Sequence, residues 1–337
     1  MRGQAGVTGG ADESLVQRQI AGVMRGLIRA TLLPAFRAGR PIGEQRRLLG
    51  RLSRLMMAPR GVEYRTTVCG GVPGVSVTVR GAPPARRAIL YLHGGGYCLG
   101  SPATHRIIAG HLAQTCAARV FAADYRLAPE NPFPAAVEDA VAAYRGLLAE
   151  GFAPGAMVTA GDSAGGGLAV ATAVRLRQLG LSQPAALVLF SPWVDLTLDE
   201  LGPPPRGEIL ITKSWLEGCA RFYLAGHPAA DPLASPIRAD LHRMPPTLIQ
   251  VGTDELLLTD SRRLHAALTA AGVEAMLQEF PRRWHVFQQN AGLLADANRA
   301  LAAAGEFVRA RAAVENLRRL GDPPAGRVAC RAPESDS

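Results

Sequence analysis

The chain has 337 residues and 48% of them are hydrophobic, enough to build the core of one large α/β domain carrying a small cap. Its formal charge of +9 is carried almost wholly by arginine, with Lys213 as the lone lysine; the arginines are spread along the chain without a nucleic-acid motif, so no nucleic-acid partner is expected. No apolar run reaches the roughly 18 residues of a membrane span, Met1 to Asp12 lacks the apolar stretch of a secretory signal, and the five cysteines are scattered and odd in number. The expectation is a cytoplasmic protein with no stable membrane insertion, no disulfide framework, no metal and no cofactor.

The first dozen residues are Gly-rich and polar and are expected to be disordered. From Leu15, the residues Val16, Ile20, Val23, Met24, Leu27 and Ile28 recur at helical spacing, with Arg18, Arg25 and Arg29 between them. A second helical segment carries Leu48, Leu49, Leu52, Leu55 and Met56 beside Arg46, Arg47, Arg51 and Arg54. A basic amphipathic pair of this kind reads either as a surface for membranes or lipidic substrates or as a cap laying its apolar faces on the main domain. The second reading is preferred.

After Pro59-Arg60 the period changes to two. Val62 to Val68 and Val75 to Val79 alternate across Gly70-Gly71-Val72-Pro73-Gly74 and predict an antiparallel pair. Ala88 to Leu92 is continuously apolar, as a central strand covered on both faces must be. Strands and helices then alternate: strand Val120–Ala123, helix Ala135–Ala149, strand Met157–Ala160, helix Ala164–Leu179, strand Ala186–Phe190, strand Thr247–Val251, helix Asp260–Ala271, strand Glu274–Phe280 and a helix from about Leu294 to Leu320. Such alternation predicts right-handed crossovers and a mostly parallel sheet. The stretch from Pro192 to Pro245 breaks the rhythm with a Pro-rich loop and a helical segment around Lys213 to Leu224, and an insertion there sits above the carboxyl ends of the strands. The expected organisation is a cap segment over 1–60, a core over 61–196 and 240–320, a cap insertion over 197–239 and a disordered tail over 321–337.

Ala160-Gly161-Asp162-Ser163-Ala164-Gly165 holds a G-x-S-x-G pattern between an apolar strand and a helix, the sequence of a nucleophile elbow. Upstream, His93-Gly94-Gly95-Gly96-Tyr97 follows the buried strand. Glycines let backbone N–H groups converge on a point where an acyl oxygen gains negative charge. Gly94 and Gly95, with Ala164 after the nucleophile, are the expected oxyanion donors, and His93 is read as an anchor for the loop. The acid must follow the nucleophile at a strand end: Asp254 in Val251-Gly252-Thr253-Asp254-Glu255 is the preferred candidate, Glu255 being read as a loop or solvent contact and Asp260 as a helix N-cap. The base must come last, and His285 ends the final strand in a loop, whereas His265 falls within a helical pattern.

These segments resemble the bacterial hormone-sensitive-lipase-like esterases of the α/β-hydrolase superfamily. The matches are His93-Gly94-Gly95-Gly96, Asp124-Tyr125-Arg126-Leu127-Ala128-Pro129-Glu130, Gly161-Asp162-Ser163-Ala164-Gly165-Gly166 and Ser191-Pro192-Trp193-Val194-Asp195. The resemblance implies the α/β-hydrolase fold with a sheet of about eight strands and helices on both faces, a helical cap, and hydrolysis of short- to medium-chain carboxylic esters by Ser163, Asp254 and His285. The family often has proline where Glu255 stands, a residue smaller than Trp284, and glycine where Val286 stands; the bulkier pair here is expected to narrow the pocket. Tyr97, Trp215, Phe222 and Trp284 are candidate pocket walls. A lactone hydrolase or a deacetylase would use the same triad, and a non-catalytic receptor, such as the plant gibberellin receptor that resembles this family, would lack its histidine. A small-molecule ester partner and, by analogy alone, a homodimer are expected. Because the base must be neutral, activity should rise with pH through a pKa of about 6 to 7.

Overall fold

A computed structural model describes residues 14–34 and 36–312. Eight strands form one sheet in the order β1-β2-β4-β3-β5-β6-β7-β8. Here β1 is Val62–Cys69, β2 Val72–Val79, β3 Ala88–Leu92, β4 Arg119–Ala123, β5 Met157–Asp162, β6 Ala186–Phe190, β7 Thr247–Gly252 and β8 Ala275–Phe280. The β1–β2 and β2–β4 pairs are antiparallel and the remaining pairs are parallel. The opening hairpin is tighter than its sequence suggests, because Val72 and Pro73 already pair with Cys69 and Val68 and only Gly70-Gly71 turns the chain.

Helices cover both faces, which is why β3 reads as an unbroken apolar run: Ala88 to Leu92 are all fully buried. Leu90 and Leu92 point into the layer formed with α4 (Ala135–Ala149), α5 (Ala164–Gln178) and α7 (Leu258–Ala270). Ile89 and Tyr91 point the other way, into the layer of α3 (Arg106–Cys116) and α8 (Ala295–Arg311). The helix α3, with its short Ile107-Ile108-Leu112 pattern, matches none of the elements predicted from the sequence. The expected extension of α8 to Leu320, both expected disordered ends and Cys330 fall outside the described residues; Cys69, Cys98, Cys116 and Cys219 are buried free thiols.

Above the carboxyl ends of the strands lie α1 (Leu15–Thr31), α2 (Ile42–Ser53) and α6 (Lys213–Leu224). The N-terminal segment and α6 meet at Trp215, whose indole Nε1 donates to Gln45 Oε1 at 3.0 Å and whose ring packs edge to face with Phe36. The helix α1 buries only Ala21 completely. Gln17 Oε1 ties it to the core by accepting the N–H of Ala295.

At the centre of the sheet β3, β5 and α5 approach so closely that a Cβ on Gly165 would collide with the carbonyls of Leu92 and His93. Gly165→Ala is therefore expected to lower stability by about 1 to 3 kcal/mol or more, from overpacking against backbone that cannot yield. Urea unfolding of the variant beside wild type measures it, and an unchanged midpoint would contradict the contact.

Candidate active site

Strand β5 runs into α5 through Ser163, which adopts φ 52° and ψ −122°. A non-glycine residue held at positive φ stores roughly 1 to 3 kcal/mol and persists only where its surroundings fix it. Here the Ser163 N–H donates to the Phe190 carbonyl at 2.9 Å, and the Ser163 carbonyl accepts from Gly166, Gly167 and Trp193. The turn lifts the hydroxyl above the sheet, where Ser163 Oγ lies 3.0 Å from His285 Nε2.

His285 sits in the loop after β8, buried, with Nδ1 2.6 Å from Glu255 Oε2. Glu255 is wholly buried, and its other oxygen accepts from Ser191 Oγ at 2.8 Å and from the Gly252 N–H at 2.7 Å. A carboxylate can only accept, so the imidazole proton lies on Nδ1 facing Oε2, leaving Nε2 to accept from the serine. Burial by itself disfavours the charged imidazolium, but the bond to Glu255 and its charge outweigh that and hold the His285 pKa above its ordinary value. Burial also pushes the Glu255 carboxyl up, with the His285 bond opposing it.

The acid expected from sequence was Asp254, and the structure corrects this. Asp254 turns away from His285 and accepts from Arg25 of α1 at 3.0 Å. The same guanidinium donates to the carbonyls of Gly207 at 2.8 Å and Arg282 at 2.7 Å and lies over the Trp284 ring. One cap arginine thus ties together the loops carrying Glu255 and His285. Asp260 is likewise not an N-cap: it lies inside the first turn of α7, where its buried carboxylate accepts the N–H groups of Val194 and Asp195, and burial raises its pKa to about 6.

The glycine loop leaves β3 toward Ser163. Gly95 needs its φ of 122°, and a Cβ there would strike the Leu99 carbonyl. Among the described residues the N–H groups of Gly95 and Ala164 donate to no acceptor, whereas that of Gly94 donates to Asp162 Oδ1 at 3.1 Å. Of the three expected oxyanion donors, Gly94 thus has its N–H engaged by Asp162, whereas Gly95 and Ala164 do not. Asp162 is buried beneath the loop and also accepts from the Tyr91 hydroxyl, with His105 Nε2 3.3 Å from its Oδ2. Burial opposes the Asp162 charge, but His105 and Tyr91 overcome it and hold its pKa below the usual carboxylate range. His93 stacks between Tyr125 and His105, and burial drives its pKa down to about 3, so it stays neutral and structural.

A cavity of about 840 Å³ opens over Ser163. Met24, Ile28 and Leu32 of the N-terminal helix and its extension, Leu49 and Leu52 of α2, and Ile211 give it apolar walls. Of the four candidate wall residues, Trp215 and Trp284 line it. Tyr97 does not: it is buried beneath, stacked on Tyr223 with ring centroids 3.8 Å apart. Phe222 lies outside it, exposed two turns after Trp215 at the far end of α6. Val286, which with Trp284 also borders the cavity, holds φ 51° and ψ 44°, a left-handed conformation that a β-branched residue adopts only under strain. That geometry explains why glycine suits this position.

The profile of a family described as alpha/beta hydrolase fold matches residues 89–289. An acetyl-hydrolase of Streptomyces hygroscopicus is 46% identical over 250 residues, covering 71% of this chain and 84% of the relative. An esterase of Acinetobacter venetianus is 34% identical over 284 residues, covering 83% of this chain and 93% of its own. The crystal structure of an esterase from the bacterial hormone-sensitive lipase family superposes with a TM-score of 0.80 at 39% identity, over 89% of this chain and 99% of that one. The chain belongs to this bacterial hormone-sensitive-lipase-like family of α/β-hydrolases. In this member the choice between two adjacent carboxylates is made by a cap arginine and by burial, neither of which shows in a motif.

Replacing Glu255 by Gln should lower the His285 pKa, because the charge that stabilises the imidazolium is removed, whereas Asp254→Asn should leave it near the wild-type value. Titration of the His285 ring by NMR separates the two; equal shifts in both variants would overturn the geometry.

Proposed function

We propose that this protein is a serine carboxylesterase acting through an acyl-enzyme, with Ser163 as nucleophile, His285 as base and then acid, and Glu255 as the orienting carboxylate. The observation that carries the reading is the continuous relay from Glu255 through His285 to Ser163 beside two unspent N–H groups. His285 Nε2 takes the hydroxyl proton as Ser163 Oγ attacks the ester carbonyl, and Glu255 stabilises the resulting imidazolium. Gly95 and Ala164 N–H groups meet the tetrahedral oxyanion. As the C–O bond breaks, His285 gives its proton to the departing alcohol; water, deprotonated by the same histidine, then releases the acid and restores Ser163.

The cavity walls favour uncharged acyl groups of short to medium length. Each methylene that leaves water for such walls contributes about 0.8 kcal/mol, or about fourfold in binding. The relative named an acetyl-hydrolase supports acceptance of the shortest acyl groups as well.

The test is turnover of p-nitrophenyl acetate, butyrate and octanoate. The kcat/KM should rise by about fifteenfold from acetate to butyrate, Ser163→Ala should abolish turnover, and Glu255→Gln should reduce kcat by about 10³ to 10⁴. Asp254→Asn should stay within about tenfold of wild type. If Asp254→Asn were the more damaging substitution, the assignment of the acid would fail.

The wild-type rate should rise with pH through a limb displaced above an ordinary histidine value, because Glu255 holds the inhibitory proton on His285. Rate profiles across pH measure the limb, and a flat profile from about 5 to about 9 would remove His285 as the base.

A further inference from the structure

The basic, doubly apolar N-terminal helices are not used up by the chemistry. One face of α1 turns Met24 and Ile28 into the cavity, while a second stripe at helical spacing, Val16, Val23 and Leu27 with Leu15 beside it, points to solvent. Each of these four is more than half exposed, and so are Leu55, Met57 and Leu293. Leu27, Leu55, Met57 and Leu293 also line the cavity, so they form its rim, and the exposed stripe of α1 continues from that rim. Contiguous large apolar side chains around a mouth mark an interaction surface.

Charge identifies what the surface fits. Residues 14–60 contain ten arginines and a single carboxylate, Glu44. Arg51 and Arg54 are exposed, make no ion pair among the described residues and lead directly into Leu55 and Met57; the exposed Arg60 lines the cavity itself. A second copy of the chain docking on this face by a two-fold axis would oppose one arginine-rich surface with another. An anionic lipid surface instead meets the arginines with opposite charge and accepts the apolar stripe among its acyl chains.

We propose that the exposed face of α1 and the rim at Leu55 and Met57 form a peripheral docking site for anionic lipid surfaces. Docked there, the cavity mouth faces the acyl region, so an apolar ester dissolved in lipid enters without crossing water; this consequence rests on the esterase reading, while the docking itself does not. The attachment is interfacial: among the described residues no helix is long and apolar enough to cross a membrane.

Flotation of the full chain with vesicles of phosphatidylcholine alone, and of an equal mixture with phosphatidylglycerol, tests this. Wild type should bind the mixed vesicles and not the neutral ones, and binding should weaken at least several-fold between about 0.05 and about 0.5 M salt. Val16→Asp/Val23→Asp should lose about tenfold or more of that binding while turning over soluble p-nitrophenyl butyrate within about twofold of wild type. Arg51→Glu/Arg54→Glu, which keeps the apolar stripe, should lose the preference for phosphatidylglycerol. Failure of wild type to bind either vesicle, equal binding to both, or a wild-type dimer in light scattering that Val16→Asp/Val23→Asp converts to monomer would each overturn the proposal. Butyrate turnover in the same samples reports separately whether the esterase reading stands.

Discussion

The carbonyl of Leu92 and the backbone of Gly165 lie so close that no side chain fits between them, and the site depends on that approach. It draws the start of α5 down onto β3 and forces the chain to reverse within one residue. Ser163 absorbs the reversal at positive φ, and hydrogen bonds from both neighbouring segments hold it there. The same approach brings the glycine loop after β3 alongside the start of α5. Among the described residues the N–H groups of Gly95 and Ala164, on the two segments brought together there, donate to no acceptor. Backbone crowding, more than any single side-chain bond, produces the elbow.

Below this turn lies a second requirement, burial of charge. Asp162 and Glu255 are both deep in the protein, and each is tolerated because donors surround it: Tyr91, Gly94 and His105 for the first, and His285, Ser191 and Gly252 for the second. A buried carboxylate without such partners would take up a proton. Asp162 spends its acceptors on shaping the glycine loop, and Glu255 spends its acceptors on orienting His285. Asp254, by contrast, stays part-exposed and paired with Arg25, whose other bonds fasten the cap to the loops on either side of the reacting groups. Cap and chemistry are joined through a polar latch and not only through apolar contact.

The cap has a different balance from the core. In the sheet, apolar residues are covered on both faces, while in α1 one stripe faces the cavity and another faces out. The preferred reading of these helices as a cover laying its apolar faces on the main domain accounts for the first stripe and not the second. Cavity walls of this kind exclude water from an acyl chain, which raises the worth of each methylene and strengthens the electrostatic interactions around Ser163.

Much of this was legible in the amino-acid sequence. A continuous apolar run marked β3, strand-helix alternation marked β5 and β6, the period-two stretches marked the hairpin, and the spacing of His93-Gly94-Gly95-Gly96, Gly161-x-Ser163-x-Gly165 and His285 announced a hydrolase with its parts in order. These signals are local: a strand buried on both faces, a turn that admits no Cβ and a histidine at a strand end each leave a mark within a few residues. The short helix α3, the choice of Glu255 over Asp254, the engagement of the Gly94 N–H by Asp162 and the placement of Tyr97 and Phe222 outside the cavity were decided only by the tertiary structure. Adjacent residues in a loop differ in which way they face, and what waits there comes from far along the chain: Arg25 for Asp254, Ser191 and His285 for Glu255, Asp162 for Gly94. The types of residue determine which chemistry is available, and long-range packing determines which of two neighbouring groups performs it.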